Sequence, residues 1–179
     1  MLSIMKTEKK IFDKKYQQQR DDLAGEHHLG DLLQLILLFC FLGVWISDSF
    51  FLRYSLLAPG SGSLFIRIPV GLVILGIAWF LARSGLKIVF GPERSVPGVI
   101  RDGVFGRTRH PIYLGAILLY LGLLVFSLSI AAAIVWGIII IFYILIARFE
   151  EKQLIERFGA EYEEYMQAVP MMIPRLKKK

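Results

Sequence analysis

The sequence predicts an all-α integral membrane bundle of four transmembrane helices with cytosolic C-terminal helices. Three observations point there. The 179-residue chain is 55% hydrophobic, with a mean hydropathy of +0.57. Its apolar residues gather into four runs, at 32–52, 66–86, 112–128 and 130–147, each close to the ~20 residues that cross a hydrocarbon core. The basic residues lie between particular runs. The excess of 21 Lys and Arg over 15 Asp and Glu, a net +6, therefore reads as cytoplasmic retention and contact with anionic lipid, not as nucleic-acid binding.

Three segments follow: a cytosolic arm at 1–30, helices one and two at 31–90, and a third segment at 91–179 with helices three and four and the tail. The arm sets Ile11, Phe12 and Tyr16 among lysines, the pattern of an interfacial amphipathic helix or a mobile extension. It has no apolar stretch of signal-peptide type, so the first span is expected to direct insertion. His27-His28 lacks a spaced third ligand, and no metal site is expected. Cys40, the single cysteine, is expected to pack within the first run. Asp48, near the end of that run, is expected to reach water at the membrane boundary. Gly71 and Gly76 allow close helix packing but lie five apart, not the four of the usual small-residue motif, so no dimer interface is predicted and the oligomeric state stays open.

The connection at 91–98 carries two prolines and two glycines and should be irregular, followed by a short extended or turn element at 99–105. Only Ser127-Leu128-Ser129 separates the third and fourth runs, which predicts a tight antiparallel hairpin. Basic residues crowd the arm, the second connection (Lys87, Arg94, Arg101, Arg107, Arg109) and the tail, whereas the first connection offers Arg53 and Arg67. Both termini and the second connection are accordingly expected in the cytoplasm. Leu154, Ile155 and Phe158 extend the fourth helix past the membrane to a cap at Gly159. A second short helix carries Tyr162, Tyr165, Met166 and Val169, ended by Pro170 and Pro174. Its tyrosines read as interfacial anchors.

The chemistry-bearing residues stand at one end of the hairpin. Arg109-His110-Pro111-Ile112-Tyr113-Leu114-Gly115 opens the third run, and Glu150-Glu151 leaves the fourth. Pro111 suits a first helical turn, whose free N–H groups, with Arg109 or His110 nearby, can hold an anion. Tyr113 can stack on or hydrogen-bond a ligand, and Gly115 permits close approach of another helix or the ligand. Glu150 and Glu151 are acceptors pointing about 100° apart on a helix, so one can face a cofactor and the other a substrate. Arg148 could pair with an acidic headgroup or a substrate carboxylate.

Asp102-Gly103-Val104-Phe105, the stretch from Arg109 to Gly115, Glu150-Glu151-Lys152-Gln153-Leu154-Ile155-Glu156-Arg157-Phe158-Gly159 and Glu161-Tyr162-Glu163-Glu164-Tyr165 together resemble the isoprenylcysteine carboxyl methyltransferase and phospholipid methyltransferase group of integral membrane enzymes. The likeness rests on the order and spacing of these elements and covers roughly 99–174. It implies methyl transfer from S-adenosylmethionine to a lipophilic acceptor, in a pocket made by the last two membrane helices and the tail. Arg109, His110, Tyr113, Gly115 and Glu150 would then bind the cofactor, with Glu151 and Arg148 in catalytic positions. A carboxylate or thiolate acceptor needs no base; an amine or hydroxyl would look to Glu151 or His110. Membrane sterol reductases are similar in their C-terminal helices and bind NADPH, which makes them the alternative enzyme class, and a four-helix scaffold is the non-enzymatic one. The acceptor stays open among a prenylcysteine carboxylate, a phospholipid amine and a small thiol.

Overall fold

A computed structural model describes residues 28–57, 64–91 and 98–174. Residues 1–27 of the arm, with Ile11, Phe12, Tyr16 and His27, and the stretches 58–63, 92–97 and 175–179 lie outside the described residues, and the first helix begins at His28, inside the expected arm. Helix α1 (His28–Ile46) runs into a widened π-helical stretch (Ser47–Leu52). It is followed by α2 (Leu64–Phe90), a 3-10 turn (Gly103–Gly106), α3 (Pro111–Ser127), α4 (Ile130–Phe158) and α5 (Ala160–Ala168). The all-α expectation holds, with no β-strand among the described residues beyond a single bridge between Leu56 and Ser129.

Three helices are long and apolar enough to cross a membrane: Leu32–Leu52, α2 and α4. The apolar α3 is shorter at 17 residues, a rise of about 25 Å. The 29 residues of α4 rise about 43 Å, well beyond a ~30 Å hydrocarbon core. The excess is the charged end, since the apolar run stops at Ala147 and Arg148, Glu150 and Glu151 follow. Leu32, Phe39, Phe65, Trp79, Ile134 and Leu145 are each more than half exposed, an apolar outer surface of the kind that faces lipid.

The inner core draws on three helices. Phe41 of α1, Ile117, Tyr120 and Leu124 of α3, and Ala132, Ile139 and Tyr143 of α4 form one buried cluster, with Phe41 edge-on to Tyr120 at 4.8 Å. Cys40 does not join it. One helical step of about 100° turns Cys40 outward, where it is exposed, while Phe41 is 0% exposed. Helices α2 and α3 pack closely because glycine removes side chains from their seam. A Cβ on Gly115 would stand 3.0 Å from the Ala78 carbonyl oxygen and 3.2 Å from the Ala82 nitrogen.

The hairpin forms as the spacing predicts. Leu128 adopts a left-handed conformation (φ 53°), and Ser129 caps α4 by accepting from the Ala132 amide at 3.1 Å. Asp48 departs from expectation. It is 5% exposed, and its carboxylate accepts from the Ser129 hydroxyl at 2.6 Å, from the Ser55 hydroxyl and from the amides of Tyr54 and Ser55. Four donors from its own loop and the hairpin tip remove the reason to reach water. The carboxylate thereby ties the end of α1 to the α3–α4 turn.

At the opposite end, the segment after α2 closes with Gly103 at φ 57° and buries Val104 and Phe105 against Val89. This is the turn expected at 99–105. Gly159, at φ 54°, separates α4 from α5 as the capping pattern predicts. The chain then returns over the end of the bundle, where Pro170 and Met171 meet the entrance of α3.

Candidate functional site

His110 caps α3 and Pro111 begins it, so the residues on either side of this junction are fixed by the helix start. Two strands of contact hold the junction to the tail. The Arg109 and His110 amides donate to the carbonyls of Pro170 (3.0 Å) and Met171 (3.1 Å), and the Thr108 hydroxyl donates to Met171 at 2.9 Å. These carbonyls are available because proline ends the helix and leaves an extended backbone without internal partners.

The Arg109 side chain completes the clasp. Its Nε donates to Glu151 Oε1 at 2.6 Å, and its Nη1 donates to the carbonyls of Met166 (2.8 Å) and Val169 (2.6 Å). Both side chains of the ion pair are less than a tenth exposed. His110 Nε2 lies 3.1 Å from the same Glu151 oxygen, and its Nδ1 lies 3.7 Å from Glu150 Oε2. Against an ionised Glu151 the imidazole donates through Nε2, because the carboxylate can only accept.

Tyr113, one turn into α3, donates its hydroxyl to Glu150 Oε1. Its ring stacks on His110 (centroids 5.6 Å, planes 5° apart) and meets Tyr143 of α4 at 5.2 Å. The result is one connected cluster, Arg109–Glu151–His110–Glu150–Tyr113, at the charged end of the bundle. The adjacent carboxyls are tuned apart. Burial raises the Glu150 carboxyl above the usual range, and the Tyr113 hydrogen bond and the nearby imidazole only partly oppose it. Burial acts on Glu151 too, but the hydrogen bonds from His110 and Arg109 outweigh it and hold that carboxyl below the usual range.

Five of the seven residues singled out from the sequence thus come together. Gly115 does not face this cluster; it lies against Ala78 and Ala82 of α2, the helix approach that was one of its two expected uses. Arg148 is exposed on α4 and makes none of the cluster's contacts. Tyr162 and Tyr165, read as interfacial anchors, are instead buried at 3% and 4% exposure. Tyr165 donates to the Phe105 carbonyl at 2.7 Å, and burial pushes both phenols well above their usual range. Sequence reasoning missed Tyr143 and the four tail carbonyls. The signal for the carbonyls was present in Pro170 and Pro174, which mark an extended segment as well as a helix stop.

As a donor set, the cluster offers carboxylate acceptors for hydroxyls or a cation, a guanidinium and an imidazole for an anion, and stacked rings for a flat heterocycle. Among the described residues no three His, Cys, Asp or Glu side chains are arranged to hold a metal ion.

A family model described as phospholipid methyltransferase matches residues 62–161, from just before α2 into α5. Methanethiol S-methyltransferase 2 of Bradyrhizobium diazoefficiens is 41% identical over 76 residues, 38% of this chain and 26% of that protein. Methanethiol S-methyltransferase of Crocosphaera subtropica is 38% identical over 119 residues, 62% of this chain and 46% of that protein. The Pseudomonas deceptionensis protein of that name is 32% identical over 95 residues, 49% and 33% of the two chains. The chain spans less than half the length of these curated relatives.

Proposed function

Because the chain belongs to the phospholipid methyltransferase family, we propose that it transfers a methyl group from S-adenosylmethionine to a lipophilic acceptor at the cytosolic membrane face. The observation that carries this reading is the buried cluster joining Arg109, His110 and Tyr113 of the α3 entrance to Glu150 and Glu151 of α4. In the proposed topology all four apolar helices span, α3 included, with both termini and the cluster on the cytosolic side.

S-adenosylmethionine, when bound, supplies an activated methyl group on a sulfonium centre. The first-turn amides of α3 and the Arg109 Nη2 group, which the three Arg109 bonds leave over, suit the methionyl carboxylate, while His110 sits between Glu150 and Glu151 and orients both. Glu150 suits the ribose hydroxyls or the ammonium, and Tyr113 with Tyr143 offers the flat face. Gly115 contributes by setting the α2–α3 spacing. Arg109 also acts as a positioning residue, fixing Glu151 and closing the tail over the site, which excludes water from the reaction.

A carboxylate or thiolate acceptor needs only alignment here. For an amine acceptor the proton goes to a base, and Glu150 suits that role better than Glu151, since its raised carboxyl is closer to neutral pH and Glu151 is committed to Arg109. Exposed Arg148 remains the candidate for an acidic headgroup. The donor half lies in 91–179, and α1 and α2 select the acceptor. A small thiol is a second reading, favoured by the methanethiol S-methyltransferases among the relatives.

The test is transfer of radiolabelled methyl from S-adenosylmethionine by the reconstituted full chain, offered a prenylcysteine carboxylate, a phosphatidylethanolamine and methanethiol. Label in the prenylcysteine or the lipid supports the lipophilic acceptor, and label in methanethiol alone moves the protein to the thiol reading. No transfer to any of the three opposes both.

A further inference from the structure

A second polar site stands at the other end of the bundle, about 25 Å away along α3. A cavity of about 470 Å³ opens between the end of α1, the start of α2 and the end of α3, within the size range of small-ligand sites. Its wall carries two guanidiniums, Arg53 and Arg67, and among the described residues no carboxylate. Arg67 is only 8% exposed and donates through Nη1 to the carbonyls of Phe126 (3.3 Å) and Ser127 (3.4 Å).

Three further polar atoms on this wall, Trp45 Nε1, Ser49 Oγ and Ser127 Oγ, are buried without a hydrogen-bond partner among the described residues. Buried donors left so are rare and costly, and several lining one cavity indicate a missing acceptor. The neighbouring Asp48 does not fill that role, because its oxygens are taken by Ser55, Ser129 and the Tyr54 amide. The first turn of α2, the positive end of its dipole, forms part of the wall through Leu64 and Arg67.

We propose that this cavity binds a phosphate-type oxyanion, supplied by the headgroup of an anionic phospholipid in the leaflet opposite the carboxylate cluster. An oxyanion is all acceptor, which matches a lining of guanidinium, indole and hydroxyl donors. The bilayer source is favoured by the apolar rim: Phe50 and Ile68 line the opening and are 65% and 47% exposed, where acyl chains would lie. A zwitterionic headgroup would bring an ammonium to a wall that holds no carboxylate for it.

The experiment reconstitutes the full chain with equimolar phosphatidylglycerol and phosphatidylcholine and reads retained lipid by native mass spectrometry, with a parallel titration of inorganic phosphate. Phosphatidylglycerol is expected to be retained in preference. Trp45→Phe, which keeps an aromatic side chain and removes the N–H donor, should weaken retention roughly tenfold, the usual effect of losing a hydrogen bond to a charged group. Arg67→Gln should abolish it, and because that buried change can disturb folding, Trp45→Phe is the deciding variant. Displacement of the lipid by millimolar phosphate would support the oxyanion site and assign its ligand to solution. Equal retention of the two lipids, or retention unmoved in folded Trp45→Phe, would overturn the proposal.

Discussion

Glu150 and Glu151 are sequence neighbours with opposite environments. Glu151 receives two charge-assisted donors and is held below its usual range, whereas Glu150 has one phenol and is raised by burial. A depressed carboxyl stabilises the fold above its unfolded value, and that contribution is lost as pH falls through the folded one. A raised carboxyl has the opposite sign, and its ionised form costs stability as pH rises through the raised value. Glu151→Gln is therefore expected to lower the Tm at pH 7 and flatten the loss of stability toward acid. Glu150→Gln should hold or raise the Tm at pH 7. Thermal scans between pH 4 and 8 in detergent read both, and a parallel response of the two variants would contradict the assignment. Arg109→Leu leaves Glu151 buried without its partner and frees the tail, an expected loss on the order of 3 kcal/mol, read as a lower Tm and faster proteolysis beyond α4. The residues of this cluster were legible in the sequence, but their division of labour was not. Which acceptors Arg109 uses depends on where the tail returns, and no local pattern encodes that.

The elements were legible wherever a local signal sets them. The three-residue turn gives the α3–α4 hairpin, glycine and proline delimit α5, and Pro111 starts α3. The misreadings, by contrast, came from tertiary partners. Asp48 looked like a boundary residue seeking water because Ser55 and Ser129, which bind it, are 7 and 81 positions away. Cys40 looked like core because α1 is apolar all round, so its sequence does not say which face turns inward. The α2–α3 seam supplies a test at this scale. Gly115→Leu would drive a side chain into the backbone of α2, an overpacking cost of about 3 kcal/mol, and should separate the two helices. Gly122→Ala meets the Leu75 side chain, with Cδ2 at 2.6 Å and Cγ at 2.7 Å, and the Gly71 carbonyl oxygen at 3.3 Å; the side chain must shift but the backbone contact is looser than at Gly115, and about 1 kcal/mol is expected. Comparable Tm losses in the two variants would show that the seam is looser than described.

The whole molecule is a bundle with two chemically different ends. Carboxylates, His110 and the tail gather at one; among the described residues, Asp48, Arg53 and Arg67 carry the charge at the other. Hydropathy made the bundle legible, and charge placement gives its proposed orientation, with the cluster toward the cytosol. A cysteine introduced by Glu163→Cys, at an exposed position on α5, should react with an impermeant maleimide only after the cells are permeabilised. Labelling of intact cells would reverse the topology and place the cluster away from cytosolic S-adenosylmethionine. The central claim concerns that cluster, and calorimetric titration of the purified full chain with S-adenosylmethionine, S-adenosylhomocysteine and NADPH tests it most directly. Binding of the first two, weakened at least tenfold in Tyr113→Phe and Glu151→Gln, is the predicted result; preference for NADPH, or no binding of either cofactor by folded protein, would contradict it.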